Sequence, residues 1–139
     1  MTQEEKQLLL KELSARAFYG VKAHYVGGSE RYTYEADGVV LSVDIYLRNP
    51  VYVNFINTEV ELVKPYLRPM SSMTDEEHGQ YMEFIEWSYN DYTSISTTCI
   101  NKEKLHEYMD FIYSHHLDDN NLIEKGLALE APEGMYEDV

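Results

Sequence analysis

The sequence predicts an α+β fold: a five-stranded antiparallel meander over about residues 18–63, with an N-terminal helix and two C-terminal helices packed on one face. Three observations predict it. Apolar residues recur with period two from Phe18 to Val63. They recur with helical period after Thr74. Between the two regimes lies a proline-bearing seam, V-E-L-V-K-P-Y-L-R-P-M-S-S-M-T from Val60 to Thr74.

At the N-terminus, Thr2 and Glu5 form a capping box, and Leu9, Leu10, Leu13 and Ala17 follow at helical spacing. A helix over about 3–16 follows, with its acids and lysines on the solvated side. The strands are then read from their turns. A loop at Gly27 to Glu30 sets Tyr25 opposite Tyr32 and Ala23 opposite Tyr34, and Asp37-Gly38 reads as a two-residue type I′ hairpin. Val39, Leu41, Val43, Ile45 and Leu47 alternate with Val40, Ser42, Asp44, Tyr46 and Arg48, which predicts one strand from 39 to 47. A three-residue loop, Arg48 to Pro50, sets Ile45 against Val53 and Tyr46 against Tyr52, whereas a two-residue loop would oppose apolar to polar groups. Asn57-Thr58 then turns the chain into a fifth strand ending at Val63.

Pro65 and Pro69 remove two backbone donors, so residues 64–73 are predicted to be irregular. Thr74 with Glu77 is a second capping box and opens a helix over 74–89. Asn90 to Cys99 reads as a loop or short strand. Leu105, Tyr108, Met109 and Ile112 supply the stripe of another helix, over 101–116. Leu122, Ile123, Leu127 and Leu129 are too apolar for a solvated tail, so 118–131 is predicted to dock and 132–139 to fray. The 139 residues fit a single domain.

Composition narrows the function classes. Twenty-five acids against 11 bases give a net charge of −14, which repels nucleic-acid phosphates and argues against direct DNA or RNA binding. No run approaches a membrane span, and M-T-Q-E-E-K lacks a signal-peptide core, so a cytoplasmic protein is expected. Cys99 is the only cysteine; with His106 nearby, a small buried thiol is favoured over a nucleophile. His115, His116 and Asp118 are the only cluster of metal-ligand types. Adjacent helical histidines point about 100° apart, so a histidine bonding the helix C-terminus is preferred, and no metal or cofactor is expected.

The segments V-K-P-Y-L-R-P-M-S-S-M-T (Val63 to Thr74) and S-H-H-L-D-D-N-N-L-I-E-K-G-L-A-L-E-A-P-E-G-M-Y (Ser114 to Tyr136) resemble a group of small proteins encoded by gut Bacteroidales and their phages or mobile elements. That group has no established activity, so the resemblance carries over no catalytic residue; it implies a cytoplasmic accessory protein. The residues themselves point to a non-enzymatic module that binds a protein, or a second copy of itself, through the outer sheet face and the seam. Tyr46, Tyr52, Ile56, Tyr66 and Arg68 are the candidate interaction residues. An acidic mimic of nucleic acid and a small-ligand binder or enzyme are the rival classes.

Overall fold

The computed structural model describes residues 1–29, 31–48, 51–90 and 95–137. Helix α1 (Gln3–Arg16) opens on the Thr2 capping box: Thr2 Oγ1 accepts from Glu5 N at 3.1 Å, and Glu5 Oε1 accepts from Thr2 N at 2.9 Å. Strands β1 (Lys22–Ser29), β2 (Tyr32–Leu41), β3 (Asp44–Arg48), β4 (Val51–Asn54) and β5 (Val63–Pro69) follow. Helix α2 (Asp75–Met82) and the hairpin β6 (Ile85–Asn90) and β7 (Ile95–Ile100) precede helix α3 (Leu105–Ser114) and the short strands β8 (Leu117–Asp118) and β9 (Leu129–Glu130). The fold is α+β on a mostly antiparallel sheet, ordered β4-β3-β2-β1-β5-β8, with β9 also pairing β5. Among the described residues no helix is long and apolar enough to cross a membrane.

Several predicted boundaries move, each for a physical reason. Asp37-Gly38 is not a turn. Both residues lie inside β2, where Asp37 faces His24 and Gly38 faces Ala23, and the hairpin turn falls at Ser42-Val43, with Ser42 at φ 52°. β1 runs on through Gly27 and Gly28, so Tyr25 pairs with Ala36 rather than Tyr32. A slip of four leaves every side chain on its predicted face of β1, because the pleat repeats every two residues. The turn at 42–43 does change parity: Val40 is buried, and Leu41 faces solvent. The Ile45–Val53 and Tyr46–Tyr52 pairs form as predicted, while Asn49 and Pro50 of their loop lie outside the described residues.

The fifth strand does not extend the meander beside β4. Asn54 Oδ1 accepts from the backbone of Ile56 and Asn57 at 3.0 and 3.1 Å, closing a turn that ends β4. A short 3₁₀ segment, Val60–Leu62, then delivers β5 to the far side of the sheet, antiparallel to β1. The seam is therefore a strand. A proline forces the residue before it toward extended backbone, which excludes helix and is compatible with a strand. Arg68 N donates to His116 O at 2.7 Å, and Ala131 N donates to Leu67 O at 2.8 Å, so the non-proline positions carry the pairing. The helix predicted over 74–89 stops at Met82, and residues 85–90 form β6.

Leu9 and Leu13 of α1, with Leu122, Leu127 and Ala128 of the tail, cover one sheet face made by Val21, Ala23, Val40, Ile45, Phe55, Val63 and Leu67. Tyr108, Phe111 and Ile112 of α3 gather with Leu117 in a second cluster, joined by Tyr81 and Phe84. Docking of the tail extends past residue 131. The Tyr136 hydroxyl accepts from Lys22 N at 2.8 Å and donates to Tyr66 O at 2.7 Å, and its ring stacks on His116 at 3.7 Å. Residues 138 and 139 lie outside the described set.

Candidate functional site on the outer sheet face

Opposite the core, the sheet presents a row across four strands, because Lys22, Val39, Tyr46 and Tyr52 are successive cross-strand partners. The Tyr46 and Tyr52 rings pack with centroids 4.9 Å apart, a contact of ~0.2–1 kcal/mol. Tyr52 is 59% exposed, Leu41 45%, and Ile56, in the turn after β4, 55%. Two of the five candidate interaction residues, Tyr46 and Tyr52, therefore share this row, and a third, Ile56, is exposed in the turn that follows β4.

Tyr66 borders that row through a polar network that the registers read from the turns did not reveal. His24 on β1 bonds Asp37 Oδ1 through Nδ1 at 2.7 Å and Glu35 Oε1 through Nε2 at 2.6 Å, and the Tyr66 hydroxyl on β5 donates to Asp37 Oδ1 at 2.7 Å. Partial burial opposes charge on His24, but the bonds to Asp37 and Glu35 outweigh it and raise the imidazole pKa. Burial likewise opposes charge on Asp37, and the bonds from His24 and Tyr66 outweigh it and lower that pKa. Burial and then the Asp37 carboxylate push the Tyr66 phenol up to about 12. Such a phenol stays protonated at neutral pH, and both His24 ring nitrogens are engaged by carboxylates. The cluster braces β1, β2 and β5.

A pH dependence follows. The raised His24 pKa contributes stability that is complete below the ordinary 6.5 and is lost as pH rises through the folded value. The lowered Asp37 pKa contributes stability present above the ordinary 3.8 and lost as pH falls through the folded value. The brace is strongest between those limits. Because the Glu35 and Asp37 side chains are 62% and 57% exposed, we expect His24→Gln to cost ~1 kcal/mol or less in urea unfolding at about pH 5.5. At about pH 8.5 the cost should be smaller. Equal costs at the two pH values would rule out the charged brace.

Arg68 is committed internally. Its Nη1 and Nη2 donate to Glu77 Oε2 and Oε1 at 2.8 and 2.7 Å, and Nη2 also donates to Ser72 O at 3.1 Å. The Arg68 bonds hold the Glu77 carboxyl near 2 against the opposing effect of burial. Glu77 also closes the Thr74 capping box, so one carboxylate ties β5 to the start of α2. This pair forms one wall of a cavity of about 500 Å³, closed on the other side by residues 130–137.

The metal-ligand types are placed for other work. His115 Nδ1 bonds Phe111 O at 2.8 Å, as expected of a histidine at a helix C-terminus. His116 is buried with φ 57°, stacked on Tyr136. Asp118 Oδ1 and Oδ2 accept from Leu122 N and Ile123 N at 2.8 and 2.9 Å, closing the loop that starts the docked tail. Among the described residues no three metal-ligand side chains converge. The Cys99 side chain lies outside the described set.

Sequence reading also missed a buried ionic centre. Glu12, assigned with the other acids to the solvated side of α1, is 3% exposed, and Arg16, given no place in the sequence reading, is 0% exposed. Residues 9, 12, 13 and 16 keep the i, i+3, i+4, i+7 spacing of a buried stripe, and that was the available signal.

Fold and site together define an α+β protein whose antiparallel sheet is cored on one side and carries an aromatic and acidic surface on the other. Protein-family models, curated proteins and solved structures, when compared with this chain, give no match.

Proposed function

We propose that this is a non-enzymatic, cytoplasmic interaction module that docks a protein partner on the outer sheet face, in keeping with the accessory role implied by its resemblance to mobile-element proteins. The observation that carries the reading is the Tyr52–Tyr46–Val39 row with Leu41 beside it: contiguous apolar surface on three adjacent strands, with the aromatic pair already packed. Rigid, amphipathic tyrosines lose little entropy on docking and are enriched among residues that dominate binding. Glu35 and Asp37 on β2 and Asp44 on β3 lie on the same face, so the fitting partner surface is apolar and flanked by cations.

The test compares affinity capture and light scattering for the wild type and for Tyr46→Asp with Tyr52→Asp. Tyr52 is exposed and Tyr46 half-buried, so Tyr46→Phe with Tyr52→Ser is run beside the double aspartate, and circular dichroism is used to confirm that each variant is folded. The double aspartate should lose its partner, or its dimer, by about 30-fold or more, as two interface tyrosines at ~1–2 kcal/mol each imply. An unchanged partner set and oligomeric state would show that this face is not the docking surface.

A further inference from the structure

The cavity at the end of β5 has no part in the docking role proposed for the outer face, and its construction is specific. One wall is Pro69 with the Arg68–Glu77 pair; the other is the segment 130–137. That second wall is fixed at two levels. Met135 N donates to Pro132 O at 3.1 Å and Glu137 N to Gly134 O at 3.4 Å, with Gly134 at φ 84°, a conformation that favours glycine. The Tyr136 hydroxyl pins these turns between Lys22 N and Tyr66 O. The space of about 500 Å³ lies within the range of small-molecule sites.

Its charge is one-sided. Glu77 is matched by Arg68, but among the described residues no cation pairs with Glu130, Glu133 or Glu137, all of which line the cavity. Glu137 Oε2 lies 3.9 Å from where a Cβ on Gly134 would stand, so this carboxylate folds back over the turn. Pro69, Ala131 and Pro132 supply apolar lining, beside the hydroxyl-bearing Ser72, Thr74 and Tyr136. The carboxylates are not gathered as a metal site requires.

We propose that this cavity binds a linear aliphatic amine, its stem against Pro69, Ala131 and Pro132 and its ammonium groups on Glu130, Glu133 and Glu137. The same chemistry is offered by a free polyamine and by a lysine side chain of another protein. An ammonium needs only charge and hydrogen-bond acceptors, and the stem gains from the proline walls. A compact, fully hydrated cation gains only the first.

The full chain is titrated with spermidine, with a tetralysine peptide and with Mg²⁺, followed by calorimetry and amide chemical shifts. Spermidine or the peptide should bind with shifts confined to about residues 68–77 and 130–137, and about tenfold or more tighter than Mg²⁺. Tighter binding of spermidine identifies the free polyamine as the source, and tighter binding of the peptide identifies the side chain. The triple variant Glu130→Gln, Glu133→Gln, Glu137→Gln should weaken amine binding about tenfold or more. A triple of equal charge, Glu4→Gln, Glu103→Gln, Glu107→Gln, should change it less than about threefold. Equal losses in the two triples, or Mg²⁺ binding as well as either amine, would reduce the effect to general counterion attraction and overturn the proposal.

Discussion

Arg16→Ala is expected to destabilise the protein by about 3–5 kcal/mol, the cost of breaking one partner out of a buried ionic centre. The guanidinium is fully buried. Its Nε donates to Glu12 Oε2 at 2.8 Å and its Nη2 to Asp119 Oδ1 at 3.3 Å, while Asn120 Nδ2 donates to the other Glu12 oxygen. The Tyr113 ring lies 5.0 Å from the guanidinium carbon. Burial already raises the Asp119 pKa, and Arg16 is what opposes the rise. Without Arg16, the Glu12 and Asp119 carboxylates face each other with no cation between them. Water must then enter between them or Asp119 must take up a proton, and either loosens α1 against the docked tail.

The loss reaches further than the charges, because Leu9 and Leu13 share this stripe of α1 and cover the sheet together with Leu122 and Leu127. The ionic centre is itself imperfect: Arg16 Nη1 is buried with no hydrogen-bond partner among the described residues. For that reason Arg16→Met combined with Glu12→Leu should be more stable than Arg16→Met alone. Urea unfolding of the three variants measures both claims. A cost below about 1 kcal/mol for Arg16→Ala would show the centre to be hydrated rather than buried.

The parts of the fold legible in the sequence are those whose partners lie within a few residues. Both capping boxes, Thr2 with Glu5 and Thr74 with Glu77, form as read, since donor and acceptor are three residues apart. The Tyr46–Tyr52 and Ile45–Val53 pairs were legible because a short connection leaves few registers and only one keeps the apolar sets together. The position of β5 was not. Alternation shows that a segment has two faces but says nothing about which neighbour it joins, and β5 found β1 rather than β4. The His24 network was illegible on two counts: residues 24, 35 and 37 meet only in the longer β1–β2 register, and Tyr66 reaches them only because β5 joins β1. Glu12 and Arg16 look like an ordinary exposed i, i+4 pair until Asp119, 103 residues from Arg16, arrives to complete the centre. The interaction residues divide accordingly. Tyr46 and Tyr52 were placed by local register, whereas the roles of Tyr66 and Arg68 depend on Asp37 and Glu77, partners supplied by the tertiary fold.

Gly38→Val should destabilise the protein by about 2 kcal/mol or more and take the outer face with it. Propensity alone points the other way: Gly38 sits in an extended strand, and valine there would gain up to ~1 kcal/mol. Space decides the sign. A Cβ on Gly38 would fall on the Tyr46 carbonyl oxygen, 2.8 Å from its carbon and 3.0 Å from Ile45 Cγ1. The first two atoms belong to the backbone of β3 and cannot rotate away, so the β2–β3 ladder must open where Val39 pairs with Tyr46. The same clash explains why an Asp-Gly pair stands mid-strand. The aspartate serves His24 and Tyr66, and the glycine admits the neighbouring strand. Thr33→Val, at an exposed site on the same strand, is the matching control and should stay within about 0.5 kcal/mol of wild type. If Gly38→Val does the same, the close approach of β3 is wrong. If instead it unfolds the outer face and abolishes capture of a partner while α1 and α3 keep their helical signal, the docking surface depends on the one position where β2 has no side chain.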